Sequence, residues 1–277
     1  MTHDTHELTE AEARSIMRVL GKAEGEFAVS TAFPIFWTIR EADRQYRARN
    51  GTAFALHTGE RMFGVTANHV LDGWREDRST KGVGALQIGN LSFDPEGRNA
   101  IIAAHPGIDI ATFQLSPDEV SKLGKTVLKG YQEGWPPVPP QQDRGIYHAG
   151  FPGKERIWIS PREISFGASY GGGVATRVSE LDVSSLIERE HIMPVEGLAL
   201  PPENYDFGGI SGGPMLSVIE HHGLRTWTLA GVIYQGPNTS DDPNKSIAGF
   251  EMIKARRAHF ILPDGRLDTE RWNDVQP

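Results

Sequence analysis

A chain of 277 residues with 38% hydrophobic and 23% charged side chains can bury a substantial core, as one large domain or two small ones. Its formal net charge of −8 argues against nucleic acid as the main partner, and no apolar run approaches the ~20 residues of a membrane span. With no cysteine there are no disulfides and no thiolate chemistry; a polar start without a signal-peptide pattern adds to the expectation of a reducing, cytoplasmic setting.

In chain order, the first predicted element is a helix. Thr9-Glu10-Ala11-Glu12 has capping-box spacing, Ile16, Met17 and Leu20 can share one face, and Gly21 supplies a stop. That apolar stripe has to be buried somewhere, by packing on the body of the protein or by a docking or regulatory role. The texture then becomes β, in short apolar runs divided by turn residues: Phe27-Ala28-Val29, Thr52 to Leu56, Met62 to Val65 and Ala100 to Ala103. The stacked prolines of Gly134 to Gln141 read as an extended linker. Past it come Gly145 to Gly150, Arg156 to Ile159 and Trp227 to Tyr234 as further strands. Met252 to Phe260 reads as a closing helix with Arg256-Arg257 on its solvated face. The expected organisation is an N-terminal helical extension (1–25), a first β-barrel (26–133), a linker (134–143), a second β-barrel with its closing helix (144–260) and a C-terminal tail (261–277).

Three short frames carry chemistry. They are Val65-Thr66-Ala67-Asn68-His69-Val70, then Gly107-Ile108-Asp109-Ile110-Ala111, then Phe207-Gly208-Gly209-Ile210-Ser211-Gly212-Gly213-Pro214. Each alone has an ordinary reading: a satisfied buried histidine, an aspartate at a strand end, a serine in a glycine turn. In one order they are the parts of an activated nucleophile, because a serine hydroxyl attacks well only when a base removes its proton. Neutral His69 suits that work near pH 7, and Asp109 would hold its tautomer and stabilise the imidazolium. His57, His105, His191 and the His221-His222 pair lack such a frame, and no set of metal ligands suggests itself. His69 and Asp109 precede the linker and Ser211 follows it, so a cleft between two β units would be lined from both sides.

These motifs resemble the chymotrypsin-fold serine peptidases, the trypsin-like family that includes bacterial HtrA-type proteases. Thr66-Ala67-Asn68-His69 is similar to the family's Thr-Ala-Ala-His, Asp109-Ile110-Ala111 to its Asp-Ile-Ala, and Gly209 to Pro214 to its Gly-X-Ser-Gly-Gly-Pro. Gly231-Val232-Ile233-Tyr234-Gln235-Gly236 resembles the strand bordering the substrate cleft. The resemblance spans about residue 26 to about 260. It implies an all-β fold of two six-stranded antiparallel Greek-key barrels, with short N- and C-terminal helices outside the core. It assigns catalysis to His69, Asp109 and Ser211, and the oxyanion hole to the amides of Gly209 and Ser211. It implies a pocket base from Glu203 to Gly208, with Tyr205 and Asp206 in it, and a wall from Tyr234, Gln235 and Gly236. Asp206 could accept a basic substrate side chain, or point outward and leave an apolar pocket.

Three departures from the pattern stand out. Ile210 replaces the aspartate that pairs with a freed N-terminal amine in zymogen-activated members, so activation by trimming is not available. Tyr234 stands where the family often has a serine supporting the catalytic aspartate. No disulfide braces the barrels. The resulting expectation is a bacterial-type serine endopeptidase acting on protein or peptide substrates without metal or cofactor. It has no nucleic-acid or membrane partner, with room for a regulatory protein partner. The alternatives are a catalytically silent protease-like binding module and an esterase using the same triad.

Overall fold

The computed structural model describes residues 9–40, 46–97, 100–130, 134–160, 163–187, 201–202, 205–221, 224–237 and 251–276. Among them no helix is long and apolar enough to cross a membrane. The chain opens with helix α1 (Glu10–Thr31), then runs through β1 (Ala32–Arg40), β2 (Tyr46–His57), β3 (Met62–Thr66) and helix α2 (Asn68–Lys81). Next come β4 (Leu86–Ile88), β5 (Leu91–Phe93), β6 (Ile101–His105), β7 (Ile110–Phe113), helix α3 (Pro117–Leu123) and β8 (Leu128–Lys129). These strands form one antiparallel sheet in the order β5-β4-β1-β2-β3-β7-β6, with β8 joined in parallel to β2.

The second half begins with β9 (Gly145–Gly150), a hairpin of β10 (Arg156–Ser160) and β11 (Glu163–Phe166), and β12 (Ser169–Val174). It continues with β13 (Arg177–Val178), β14 (Asp182–Ile187), β15 (Pro214–His221), β16 (Leu224–Gln235), β17 (Glu251–Arg257) and helix α4 (Thr269–Val275). Apart from the β10–β11 hairpin, they form a second sheet in the order β12-β9-β15-β16-β17-β14-β13. The fold is therefore all-β, two curled antiparallel sheets of the chymotrypsin-like kind. The sheets hold eight and seven strands rather than six each.

Side-chain alternation explains how one strand serves two cores. On β2, Phe54 and Leu56 face the cluster shared by both sheets, while Ala53 and Ala55 face the cluster under α2. On β1, Phe33, Ile35, Trp37 and Ile39 all face α2. The shared cluster joins Phe54, Phe63 and Val65 to Ala149, Leu216, Val232 and Phe260 across the sheets. Each large side chain sealed there contributes about 2 kcal/mol of burial.

Several expected elements differ. Helix α1 keeps the predicted Thr9–Glu12 capping box, but it continues through Gly21 and absorbs Phe27 to Val29. Ile16 and Met17 stay largely exposed, at 45% and 43%. The buried positions are Glu24, Ala28 and Thr31, spaced as one helix face. Glu24 pairs with Arg225 at 3.0 Å, the Phe27 and Trp227 rings lie 4.6 Å apart, and Gly25 meets the Tyr170 ring so closely that no Cβ would fit. Small residues, the Phe27 ring and an ion pair whose carboxylate is buried dock this helix, not the apolar stripe.

Met252 to Phe260 is no closing helix. Its first part is β17, paired with β14 on one side and β16 on the other, and Ile253 and Ala255 are fully buried at alternate positions. The Lys-Ala-Arg-Arg run is helix-favouring locally, but pairing on both edges overrides that preference. Arg256 and Arg257 are accordingly buried, at 8% and 7% exposure, rather than solvated. Nor is the end of the chain a loose tail. Leu267 and Trp272 enter the shared core, with Trp272 against Phe260, and Asp268 caps α4 through the Arg271 amide at 2.9 Å.

Candidate active site

His69 is the second residue of α2, immediately after β3. Ala67 at the N-cap offers no side chain to the helix's unpaired N–H groups. Asp109 fills that gap. Its Oδ1 accepts the His69 backbone N–H at 2.9 Å, and its Oδ2 lies 2.8 Å from His69 Nδ1. An ionised carboxylate only accepts, so Nδ1 is the donor, and in a neutral imidazole that leaves Nε2 with its lone pair. One carboxylate thus caps a helix, where a negative charge is favoured, and sets an imidazole tautomer. Asp109 itself has φ +57°, the left-handed region. The imidazole stands 47% exposed and the carboxylate 17%.

Helix α2 is held from its far end by Asp77, which is 1% exposed. Its carboxylate accepts Trp37 Nε1 at 2.8 Å, Arg49 Nη1 at 2.9 Å and Lys81 Nζ at 2.8 Å. Burial alone would raise the pKa of Asp77, but the bonds from Lys81, Trp37 and Arg49 outweigh it and hold the acid below its usual value. A depressed carboxylate adds stability above its unfolded pKa of about 3.9 and loses that contribution as pH falls through the lower, folded value. Acid titration of wild type should therefore show a loss of unfolding free energy below about pH 4. Asp77→Asn should flatten that part of the curve, as chemical denaturation at several pH values would measure; an unchanged slope would refute the assignment.

Ser211 lies in the second of two tight turns that share Ile210. Ile210 N–H donates to Phe207 O at 3.1 Å with Gly209 at φ +108°, and Gly213 N–H donates to Ile210 O at 2.9 Å with Gly212 at φ +88°. In each turn the third residue needs positive φ, which is why glycine stands there. Neither bond uses the amides of Gly209 or Ser211. The turns are wedged between the sheets. Thr52 N–H donates to Ser211 O at 2.8 Å, Thr52 Oγ1 to Gly209 O at 2.8 Å, and Gly212 N–H to Ile233 O at 2.7 Å. Thr66 Oγ1, three residues before His69, donates to Thr52 O at 2.7 Å. A Cβ on Gly51 would meet both the Val70 side chain and Ser211 O, so the segments bearing His69 and Ser211 converge on one spot of β2.

The residue before the serine is anchored by packing. Ile210 is 2% exposed in a cluster with Tyr205, Phe207 and Ile233, and its side chain lies against Gly150. An apolar plug thus stands where an aspartate would need an ion-pair partner.

The residues expected to shape a pocket are placed as follows. The Tyr205 hydroxyl donates to Glu155, and its ring meets Phe207 edge-on at 4.8 Å. Asp206 turns back to accept the Gly208 N–H at 2.8 Å and lies in the field of Arg156. Tyr234 is the extra residue of a β-bulge between β16 and β17, which re-aims its side chain. Its hydroxyl is pushed up to about 12 by burial and by the carboxylates of Asp182, with which it hydrogen-bonds, and Asp109. Gln235 is exposed, and Gly236 packs so closely on Ile210 and Phe207 that a Cβ would come within 3.1–3.2 Å of their side chains. Glu203, His191 and His222 lie outside the described residues. Thr52, Thr66 and Asp77 escaped the sequence reading. Buried polar residues within apolar runs were the available signal for the threonines.

Among the described residues no cluster of histidine and acidic side chains could hold a metal ion. No protein-family profile matches the chain, and no curated protein matches it. Solved structures with a similar fold include the Rv3671c protease from M. tuberculosis in its active form, with 15% identity over 87% of this chain and 82% of that one, TM-score 0.39. The serine protease domain of the Sesbania mosaic virus polyprotein gives 14% identity over 84% and 92%, TM-score 0.38. A structure from work on the folding and binding of the same virus's VPg protein gives 13% over 84% and 94%, TM-score 0.40. Likenesses this distant decide nothing about the chemistry of this chain.

Proposed function

We propose that the protein is a serine endopeptidase in which Ser211, His69 and Asp109 act as nucleophile, base and orienting acid. The observation that carries this reading is the pair of hydrogen bonds that His69 donates to the Asp109 carboxylate, beside a serine turn that meets the same strand, β2, as the His69 segment. In the proposed cycle Ser211 Oγ attacks the peptide carbonyl carbon while His69 Nε2 takes the hydroxyl proton. His69 then passes that proton to the departing amine, leaving an acyl ester on Ser211. Water attacks the ester as His69 removes its proton, and His69 returns that proton to Ser211 Oγ as the acyl C–O bond breaks and the acid product leaves. The amides of Gly209 and Ser211 stabilise the oxyanion of both tetrahedral intermediates. Substrate adds as a strand beside Tyr234-Gln235-Gly236, past the point where β15 stops pairing with β16 at Pro214 and Val232.

A fluorophosphonate probe should label the wild-type protein once, and Ser211→Ala should abolish labelling. Absence of labelling in folded wild type would favour the silent binding module. Labelling together with hydrolysis of esters but of no peptide would favour the esterase.

A further inference from the structure

The turn carrying Asp109 is held from the opposite sheet. Arg256, on β17 and 8% exposed, donates from Nε to Ile108 O at 2.8 Å and from Nη2 to Gly107 O at 3.5 Å. Its Nη1 meets Asp182 Oδ1 at 2.7 Å. The guanidinium lies between two aromatic rings, 4.9 Å from the Tyr234 centroid and 4.7 Å from that of Trp272. Trp272 in turn covers Gly107, where a Cβ would come within 3.0 Å of its Nε1. Within the turn, Asp109 N–H donates to His105 O at 2.8 Å and Ile108 N–H to His105 Nδ1 at 3.0 Å.

The Ile108 carbonyl belongs to the peptide plane that precedes Asp109. Fixing that plane fixes the axis of a φ of +57°, which L side chains adopt only under constraint. The two carboxylate oxygens have different partners on His69, so a small rotation of the turn would break both bonds. Tyr234 gives Asp109 no hydroxyl in place of the expected serine, because its own bonds Asp182. A planar fork of donors, pressed between two rings, can hold two successive carbonyls where a lysine ammonium cannot.

We infer that Arg256 is a positioning residue for the Asp109–His69 pair, acting through the Gly107 and Ile108 carbonyls. The inference rests on the hydrolase reading above. β17 and α4 each supply one part of the clamp, Arg256 and Trp272, and the clamp reaches the Asp109 turn of the first sheet.

The test compares Arg256→Met, Arg256→Lys and Asp182→Asn with wild type by two measurements. Long-range 1H–15N spectra report the His69 tautomer, and the second-order rate of fluorophosphonate labelling reports Ser211. Both Arg256 variants should lose the fixed Nδ1–H tautomer and label on the order of 10²-fold more slowly, the cost of a small misplacement. Asp182→Asn, which removes the ion-pair partner of the guanidinium but neither carbonyl bond, should lose less than either Arg256 variant in both. If Arg256→Met does not fold, Arg256→Lys, which keeps the charge between the rings, carries the comparison. A folded Arg256→Lys with wild-type tautomer and labelling rate would overturn the inference. Wild type that never labels would remove the hydrolase reading, while the tautomer comparison would still decide the role of Arg256.

Discussion

Ser211→Ala and His69→Ala should each lower turnover of a susceptible peptide on the order of 10⁶-fold, with the double variant little worse than either. The losses do not add because nucleophile and base work as a unit: without Ser211 there is no hydroxyl to deprotonate, and without His69 the hydroxyl keeps its proton. Asp109→Asn should cost less, on the order of 10⁴-fold, by favouring the wrong imidazole tautomer. It should also loosen the start of α2, since the same carboxylate caps the His69 amide. Steady-state kinetics on the four proteins, with circular dichroism to verify folding, would measure this. Wild-type turnover by Ser211→Ala would end the proposal.

The second large effect concerns stability. Gly212→Ala should destabilise the protein by about 3 kcal/mol or more, from left-handed strain together with overpacking. Gly212 has φ +88°, and a Cβ there would lie 2.1 Å from Thr52 O and 2.3 Å from Thr66 Oγ1. Backbone on one side and a hydrogen-bonded threonine on the other cannot both retreat. Gly21→Ala is the control with the opposite sign. Gly21 lies inside α1, where a Cβ meets nothing, and alanine there should stabilise by roughly 0.5–1 kcal/mol. Urea denaturation midpoints would report both. A neutral Gly212→Ala would show that the serine turn can relax, against the view that it is wedged between the sheets.

The candidate site was legible because its chemistry demands particular residues in particular local frames. Positive φ at Gly209 and Gly212 is a requirement of the turns around Ser211, and glycine meets it visibly in the sequence. Part of the first sheet was legible for a related reason: β3 and stretches of β2 and β6 are short apolar runs divided by turn residues, whereas β1 went unread and Phe27 to Val29, read with them, belongs to α1. The α1 stripe misled because Ile16 and Met17 are apolar at helical spacing, yet docking is set by Gly25 and Glu24, whose partners Tyr170 and Arg225 lie far along the chain.

By itself the sequence determined the all-β class; it also pointed to a proline-rich break between two halves and to the three side chains of the proposed function, with the glycines that frame one of them. Each of these follows from local chemistry, in the period of a strand, the φ of a turn or the stiffness of stacked prolines. Tertiary structure alone decided that Met252 to Arg257 is a strand and that Arg256 is buried. It also decided that Asp109 both caps a helix and orients an imidazole, and that Ile210 replaces an ion pair with a hydrophobic plug. In each case a deciding partner is distant in sequence: β14 for β17, Ile108 for Arg256, His69 for Asp109, and Gly150 and Ile233 for Ile210. A strand paired on both edges and a carboxylate shared by two donors are relations between segments, and no local pattern encodes them.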